Sequence, residues 1–231
     1  MFRLLSIALA VFGALASVSG FTYNRLDKDN AALLMVDHQS GLFQLVHDIE
    51  PIQFRNNVFA LSALGNIMNL TTVLSTSAQT GLNGPLPLQI LNDHPNATLV
   101  MRPGQVDAWD NEDFQNAVYA TNKTQLILAG ITTDVCVAFL ALSLAEAGFD
   151  VFVVRDASGT FDQVTAELAY DRMRQSPNIQ VLSLFAVAFE LLRDWRTPPG
   201  APYWTEWFAQ YFTEIDMLNR AHNYAANITS F

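Results

Sequence analysis

The sequence predicts an α/β protein: a three-layer α/β/α sandwich around a six-stranded, doubly wound parallel sheet, with a C-terminal helical tail. Short, continuously apolar runs alternate with segments whose apolar residues recur at helical spacing. Strands without polar alternation are buried on both faces, which is typical of a parallel sheet covered by helices. Right-handed crossovers between such strands then favour a doubly wound sheet, for which we predict the strand order 3-2-1-4-5-6.

Each element follows from a local pattern. The apolar runs predict strands at 31–36, 72–75, 98–101, 125–130, 150–154 and 179–182. Helical spacing predicts helices at 53–69, 112–121, 133–147 and 163–175, and a last one that ends near residue 195. Gly148 supports the end of the third helix, because glycine is common just beyond a helix C-terminus.

The tail after Pro199 carries an aromatic stripe. Its aromatic residues follow an i, i+3, i+4, i+7, i+8 pattern, which predicts an amphipathic helix; they are Trp204, Trp207, Phe208, Tyr211 and Phe212. Such a helix could pack on its own core or form a contact between subunits. We favour the subunit contact, because aromatic residues are enriched in interface cores and the helix follows a linker. We therefore divide the mature chain into one domain, 21–196, and a tail, 197–231.

Composition excludes several classes of protein. A chain that is 51% hydrophobic and 15% charged is not disordered. Twenty-two acidic against 12 basic residues argue against a nucleic-acid partner and against binding to an anionic membrane. One cysteine excludes an intramolecular disulfide framework and a zinc site built from cysteines.

The first 20 residues resemble a secretory signal peptide. Arg3 precedes an apolar run, and small residues follow it. An uncleaved membrane anchor is the alternative, but the apolar run is short of the roughly 20 residues that a span needs. Four N-x-S/T sequences support export as N-glycosylation sites: Asn69, Asn96, Asn122 and Asn227. We therefore predict a secreted glycoprotein.

Polar residues follow most of the predicted strands, and the carboxyl ends of parallel strands are where ligands bind in such folds. They include Asp37, Ser75–Gln79, Arg102, Thr132–Cys136, Asp156 and Ser158. With Thr133 as N-cap, Cys136 would lie in the first helical turn, where free N–H groups stabilise a thiolate. Asp37 could accept the thiol proton. The alternative for Cys136 is a small buried apolar residue, as free cysteine often is.

Six ordered motifs carry a family resemblance. They are Val36-Asp37-His38-Gln39, Asn83-Gly84-Pro85-Leu86, Arg102-Pro103-Gly104-Gln105, Ala108–Phe114, Ala129–Val137 and Asp156–Phe161. Together they resemble the isochorismatase-like cysteine hydrolases, and most of all the YcaC-related branch of that family. The resemblance extends from about Tyr23 to beyond Arg196.

The resemblance implies a site and a chemistry. It implies an Asp–Arg–Cys triad at Asp37, Arg102 and Cys136, a non-proline cis peptide at Ile131–Thr132, and an oxyanion hole formed by the backbone N–H groups of Thr132 and Cys136. Arginine does not readily release a proton, so Arg102 would act as a fixed charge. The implied reaction is acyl transfer from a small molecule through a thioester, in a homo-oligomer such as a tetramer or octamer. No D-x-H pair is present, so we predict no catalytic metal and no cofactor.

Three functions remain in competition. The leading hypothesis is a secreted hydrolase of a small amide or a related C–N bond. A non-catalytic binding or assembly protein on the same scaffold is the alternative, because a fold does not fix a function. A thiol redox protein is the third, and the absence of a resolving cysteine counts against it.

Overall fold

A computed structural model describes residues 23–197 and 200–226 of the chain. It contains a six-stranded sheet in the order β3-β2-β1-β4-β5-β6, in which every pair of neighbours is parallel. The strands are β1 (Ala31–Val36), β2 (Thr71–Ser77), β3 (Thr98–Arg102), β4 (Gln125–Gly130), β5 (Asp150–Val154) and β6 (Ile179–Leu182). The predicted fold class and strand order are confirmed.

Helices connect the strands and continue beyond the last one. They are α1 (Pro51–Ile67), α2 (Leu88–Asp93), α3 (Glu112–Ala120), α4 (Ala138–Glu146), α5 (Gln163–Met173), α6 (Leu184–Leu192), α7 (Ala201–Tyr211) and α8 (Thr213–Ala225). The short helix α2 was not predicted, because six residues are too few to display a helical period. Most predicted strand boundaries coincide with the observed ones, and most predicted helix boundaries lie within three residues of them, the usual uncertainty at element ends.

The two faces of the sheet bury two separate apolar clusters. Successive residues of β1 point to opposite faces, so Leu33 and Met35 join one cluster while Ala32 and Leu34 join the other. The first cluster lies under α1, α6 and α7, and the second under α3, α4 and α5. All six residues of β1 are buried, which is why its sequence shows no polar alternation.

The segment after β4 departs from the predicted helix. Instead of one α-helix from residue 133, the chain forms a π-helical turn over Thr133–Val137 and then α4. The N–H of Val137 donates to the carbonyl of Thr132 at 3.1 Å, which closes this wider turn. Turns of this type often occur at functional sites, and this one carries the single cysteine.

The tail helix α7 packs on its own protomer. Trp204, Trp207 and Phe208 are 1%, 2% and 2% exposed, and the indole N–H of Trp207 donates to the carbonyl of Ala60 in α1 at 3.0 Å. Three of the five stripe residues are therefore buried in the core of their own chain, which favours the alternative of intramolecular packing, whereas Tyr211 and Phe212 are half-buried. The following helix α8 has no buried residue. A subunit contact made by the tail, and the division at residue 197, stay predictions.

Several sequence features lie at or beyond the edges of the described structure. Asn69, Asn96 and Asn122 are exposed, whereas Asn227 and the predicted signal peptide, residues 1–20, lie outside the described residues. Within residues 23–197 and 200–226, no helix combines the length and the apolar character that a membrane span requires.

Candidate active site

The carboxylate of the site stands directly after β1. Asp37 is fully buried and adopts φ 58°, in the left-handed region that non-glycine residues seldom occupy. Its N–H donates to the carbonyl of Ser75 in β2 at 2.9 Å. The local backbone conformation is thus fixed by the neighbouring strand, and non-glycine residues held in this region cluster at functional sites.

Arg102, the last residue of β3, reaches the same point from the other side of β2. Its side chain is buried, and Nη2 lies 2.6 Å from Oδ1 and 2.5 Å from Oδ2 of Asp37. Nε donates to Oγ of Ser75 at 3.0 Å, and Nη1 donates to the carbonyls of Gln105 and Val106. Every guanidinium nitrogen therefore has an acceptor within the protein.

Cys136 completes the arrangement from the π-helical turn. The thiol is hydrogen-bonded to the carboxylate of Asp37 and to the backbone of Thr132. Burial raises the pKa of Cys136 to about 12, the charge of Asp37 adds to this, and the Thr132 backbone and Arg102 oppose it. Burial also raises the pKa of Asp37, against the opposing effect of Arg102. Burial therefore favours the thiol form of Cys136 over the thiolate, beside a carboxylate that can act as a base. The nucleophilic role of Cys136 stays a prediction.

The backbone around Cys136 is held by two neighbouring segments. The Ile131–Thr132 peptide bond is cis, and the N–H of Thr133 donates to the carbonyl of Gly159 at 3.0 Å. A Cβ atom on Gly130 would lie 2.3 Å from the carbonyl oxygen of Val36. Only glycine allows β1 and β4 to approach this closely where they deliver Asp37 and Cys136.

His38 follows Asp37 in the sequence but does not join the site. Its Nε2–H donates to the carbonyl of Ala157 at 2.9 Å, and its ring packs near Phe43 and Phe54. Complete burial lowers the pKa of His38 to about 4, so the ring is neutral. Among the described residues, no group of three or more His, Cys, Asp or Glu side chains could hold a metal ion.

A large cavity lies at the same edge of the sheet but away from the cysteine. It has a volume of about 600 Å³ and lies beyond β5 and β6, with Arg155, Asp156 and Tyr170 in its lining. Asp37, Arg102 and Cys136 do not line it. The arrangement of these three side chains therefore defines the candidate active site, and cavity size does not.

The structure brings Asp37, Arg102, Thr132 and Cys136 together, as the sequence indicated. It adds contacts made by groups to which the sequence assigned no role: the hydroxyl of Ser75 and the carbonyls of Gln105 and Val106. Ser75 was visible as a polar residue near the end of an apolar strand, the same signal that identified Asp37. Backbone carbonyls give no residue-type signal at all.

Comparison with known proteins identifies the family to which the chain and its fold belong. The isochorismatase domain model matches residues 31–183. The probable hydrolase YcaC of Escherichia coli is 56% identical over 174 residues, which cover 75% of this chain and 83% of the relative. The structure of YcaC from Pseudomonas aeruginosa with hexane-2,5-diol and covalent acrylamide is 47% identical, with a TM-score of 0.85 over 88% of this chain and 99% of that one.

The chain therefore belongs to the isochorismatase family, and it is a hydrolase of that family. Within the family it is closely similar to the YcaC proteins, as the sequence motifs indicated. A structure of E. coli YcaC, described as an octameric hydrolase of unknown specificity, is 50% identical, with a TM-score of 0.85 over 89% of this chain and 99% of that one.

The same comparisons correct the predicted location. The YcaC proteins of E. coli and P. aeruginosa are bacterial cytoplasmic proteins. The relative described as secreted, the effector Isc1 of Phytophthora sojae, is 27% identical over 71% of this chain and 82% of its own length. The predictions of a signal peptide and of secretion are therefore wrong. N-glycosylation at the four sequons depended on export and loses its support with it.

Proposed function

We propose that this protein is a cysteine-dependent hydrolase that cleaves a C–N bond of a small amide through a thioester. One observation carries the proposal: a single buried carboxylate, Asp37, is in contact with both a fixed cation and the only thiol of the chain. A carboxylate whose pKa is raised by burial is a stronger base than an ordinary one. This compensates for a thiol that is protonated at rest.

In the first half-reaction, Sγ of Cys136 attacks the amide carbonyl carbon while its proton passes to Asp37. Backbone N–H groups at Thr132 and Cys136 would stabilise the negative oxygen that forms. The C–N bond then breaks, Asp37 returns the proton to the departing amine, and the acyl group stays on sulfur as a thioester. Arg102 holds the charge and orientation of Asp37 and exchanges no proton.

In the second half-reaction, water takes the place of the amine. Asp37 removes a proton from the water as its oxygen attacks the thioester carbonyl. The C–S bond breaks, the carboxylic acid leaves, and the proton returns to sulfur. One water is consumed in each cycle, and the thiol and the carboxylate end in their starting states.

Two properties of the relatives support this proposal. YcaC of P. aeruginosa has been observed with covalent acrylamide, and acrylamide is a small amide whose double bond is attacked by thiols. E. coli YcaC is described as octameric. We propose that this chain acts on a small molecule and, like E. coli YcaC, forms a homo-oligomer.

The proposal is tested with a panel of small aliphatic and aromatic amides. Cys136→Ala should reduce any detected turnover by at least about a thousandfold, because the nucleophile is lost. Ser143→Ala removes a half-buried hydroxyl from the same helix, where it bonds Asp107, and should retain activity. Brief reaction followed by acid quench should show an acyl adduct on the wild-type protein by intact mass. Undiminished turnover in Cys136→Ala would refute the cysteine mechanism. The absence of turnover and of an acyl adduct in the wild type across the whole panel would instead favour a non-catalytic binding protein.

A further inference from the structure

Ser75 lies in β2, the strand between β1 and β3 in the sheet. The charged pair of Asp37 and Arg102 is carried by those two strands. Ser75 lies opposite Val36 of β1 and Val100 of β3. Asp37 follows Val36, and Arg102 lies two residues after Val100, so a single residue of β2 is adjacent to both partners. Ser75 is fully buried, and its side chain therefore has no solvent partner.

The backbone carbonyl of Ser75 contacts Asp37, and its side-chain hydroxyl contacts Arg102. Its carbonyl accepts the N–H of Asp37 at 2.9 Å. Its hydroxyl donates to the carbonyl of Val100 at 3.1 Å, which turns an oxygen lone pair toward Nε of Arg102 at 3.0 Å. A hydroxyl with its proton committed elsewhere is an acceptor of fixed direction.

This contact determines how the guanidinium meets the carboxylate. A free arginine and carboxylate commonly pair through two nitrogens in a fork. Here both oxygens of Asp37 accept hydrogen bonds from Nη2 alone. The other nitrogens are already engaged: Nε donates to Ser75, and Nη1 donates to the carbonyls of Gln105 and Val106. A single guanidinium nitrogen thus contacts both oxygens of Asp37, and the same carboxylate also interacts with the thiol of Cys136.

We infer that Ser75 is a positioning residue of the active site, which acts on Asp37 through Nε of Arg102. This inference deepens the proposed function and rests on it. Ser75 touches no reacting atom. Its hydroxyl orients the cation that offsets the charge of Asp37. Arg102 lowers the pKa of Asp37 through its charge and a hydrogen bond, and Cys136 lowers it through a hydrogen bond.

A positioning role also accounts for the pairing of serine with arginine at this site. Lysine has a single nitrogen and no Nε–H donor, so a lysine at position 102 would leave the lone pair of Ser75 without its charged donor. The role of Ser75 should therefore depend on arginine at position 102, which is a property that a packing role would not have.

The test measures alkylation of Cys136 by iodoacetamide between pH 5 and pH 9, followed by intact mass. Cys136 is the only cysteine, so the signal has one source, and no hydrolysis is required. Ser75→Ala should slow alkylation at pH 7 about fivefold, the size of one ordinary hydrogen bond, and move the acid limb to higher pH. Arg102 lowers the pKa of Asp37, and a less well oriented Arg102 would lower it by a smaller amount. Asp37 would then become protonated, and stop acting as a base, at a higher pH than in the wild type.

Two controls separate positioning from packing. Thr76→Val removes a buried hydroxyl from the next residue of β2, where it bonds Gln79 on the opposite face, and should leave the profile unchanged. Ser75→Thr keeps a hydroxyl and should retain the wild-type acid limb, which also keeps the inference testable if Ser75→Ala does not fold.

A double-mutant cycle with Arg102→Lys gives the decisive result. In the Arg102→Lys background, Ser75→Ala should change the alkylation rate by less than about twofold, because the Nε donor is already gone. An equal effect in both backgrounds, or equal profiles for Ser75→Ala and Thr76→Val, would overturn the inference. Loss of amide turnover is a separate measurement, so failure of the proposed function would not be mistaken for failure of this one.

Discussion

At the scale of single residues, the site is defined by burial as much as by residue type. Asp37 and Arg102 are a fully buried ion pair, an arrangement that costs desolvation and is seldom the most stable choice for a protein interior. Burial also raises the pKa of the adjacent thiol to about 12. The pair is thus better explained by the chemistry it provides than by the stability it adds.

Burial of His38 should make the stability of the protein depend on pH. Because the pKa of His38 is lowered to about 4 by burial, the unfolded chain binds a proton near pH 6.5 that the folded chain does not bind until about pH 4. Stability should therefore fall by about 3 kcal/mol as the pH drops through this window. The measurement is urea unfolding at a series of pH values between 7.5 and 4.

The difference between variants isolates this effect from other titrating groups. His38→Gln can still donate to the carbonyl of Ala157 but cannot titrate, so its stability should vary less with pH than that of the wild type. His47→Gln removes an exposed histidine and should follow the wild-type curve. If the free energy of unfolding changed equally with pH in the wild type and in His38→Gln, His38 would not be the group responsible for the change.

At the scale of elements, the strands were more predictable than the segments that connect them. Continuous apolar runs predicted all six strands to within three residues, because a strand buried on both faces has no polar position to obscure its ends. The π-helical turn at Cys136 was not predictable, because its amino acids suit an ordinary helix start equally well. The contact of Thr133 with Gly159 that helps to hold it joins residues 26 positions apart.

The packing of the tail helix α7 should contribute to the free energy of unfolding. Trp207 is 2% exposed and its indole N–H bonds the carbonyl of Ala60, so Trp207→Ala should lower the free energy of unfolding by about 3–5 kcal/mol. Tyr224→Ala removes an aromatic ring that is 88% exposed on α8 and should change stability by less than about 0.5 kcal/mol. Similar losses in urea unfolding for the two variants would show that α7 is not part of the core.

At the scale of the whole molecule, α8 lies outside the two layers of helices, and nothing within the described residues buries any of its side chains fully. Met217 and Leu218 are each 68% exposed on this helix, and the related YcaC of E. coli is octameric. Trp204, Trp207 and Phe208 of the aromatic stripe are already buried against α1 and α6, so we expect a subunit contact made by the tail to lie mainly on α8.

A chain that ends at Phe212 tests this assignment while keeping α7 in place. Its sedimentation coefficient should indicate a smaller assembly than that of the full chain. Its midpoint of thermal unfolding at low concentration should change by only a few degrees, because α8 contributes no buried residue. An unchanged sedimentation profile would exclude α8 as a subunit contact.

The sequence by itself predicted the strand order, the edge of the sheet that holds the candidate site, and three side chains there, Asp37, Arg102 and Cys136. It could do so because apolar periodicity and the polar residues at strand ends are local signals. Only the tertiary structure decided the burial of Cys136 and its effect on the pKa of the thiol, the contact of Ser75 with Arg102, and the packing of the aromatic stripe. These depend on which residues of different elements are brought together and removed from water, and burial is a property of the assembled fold.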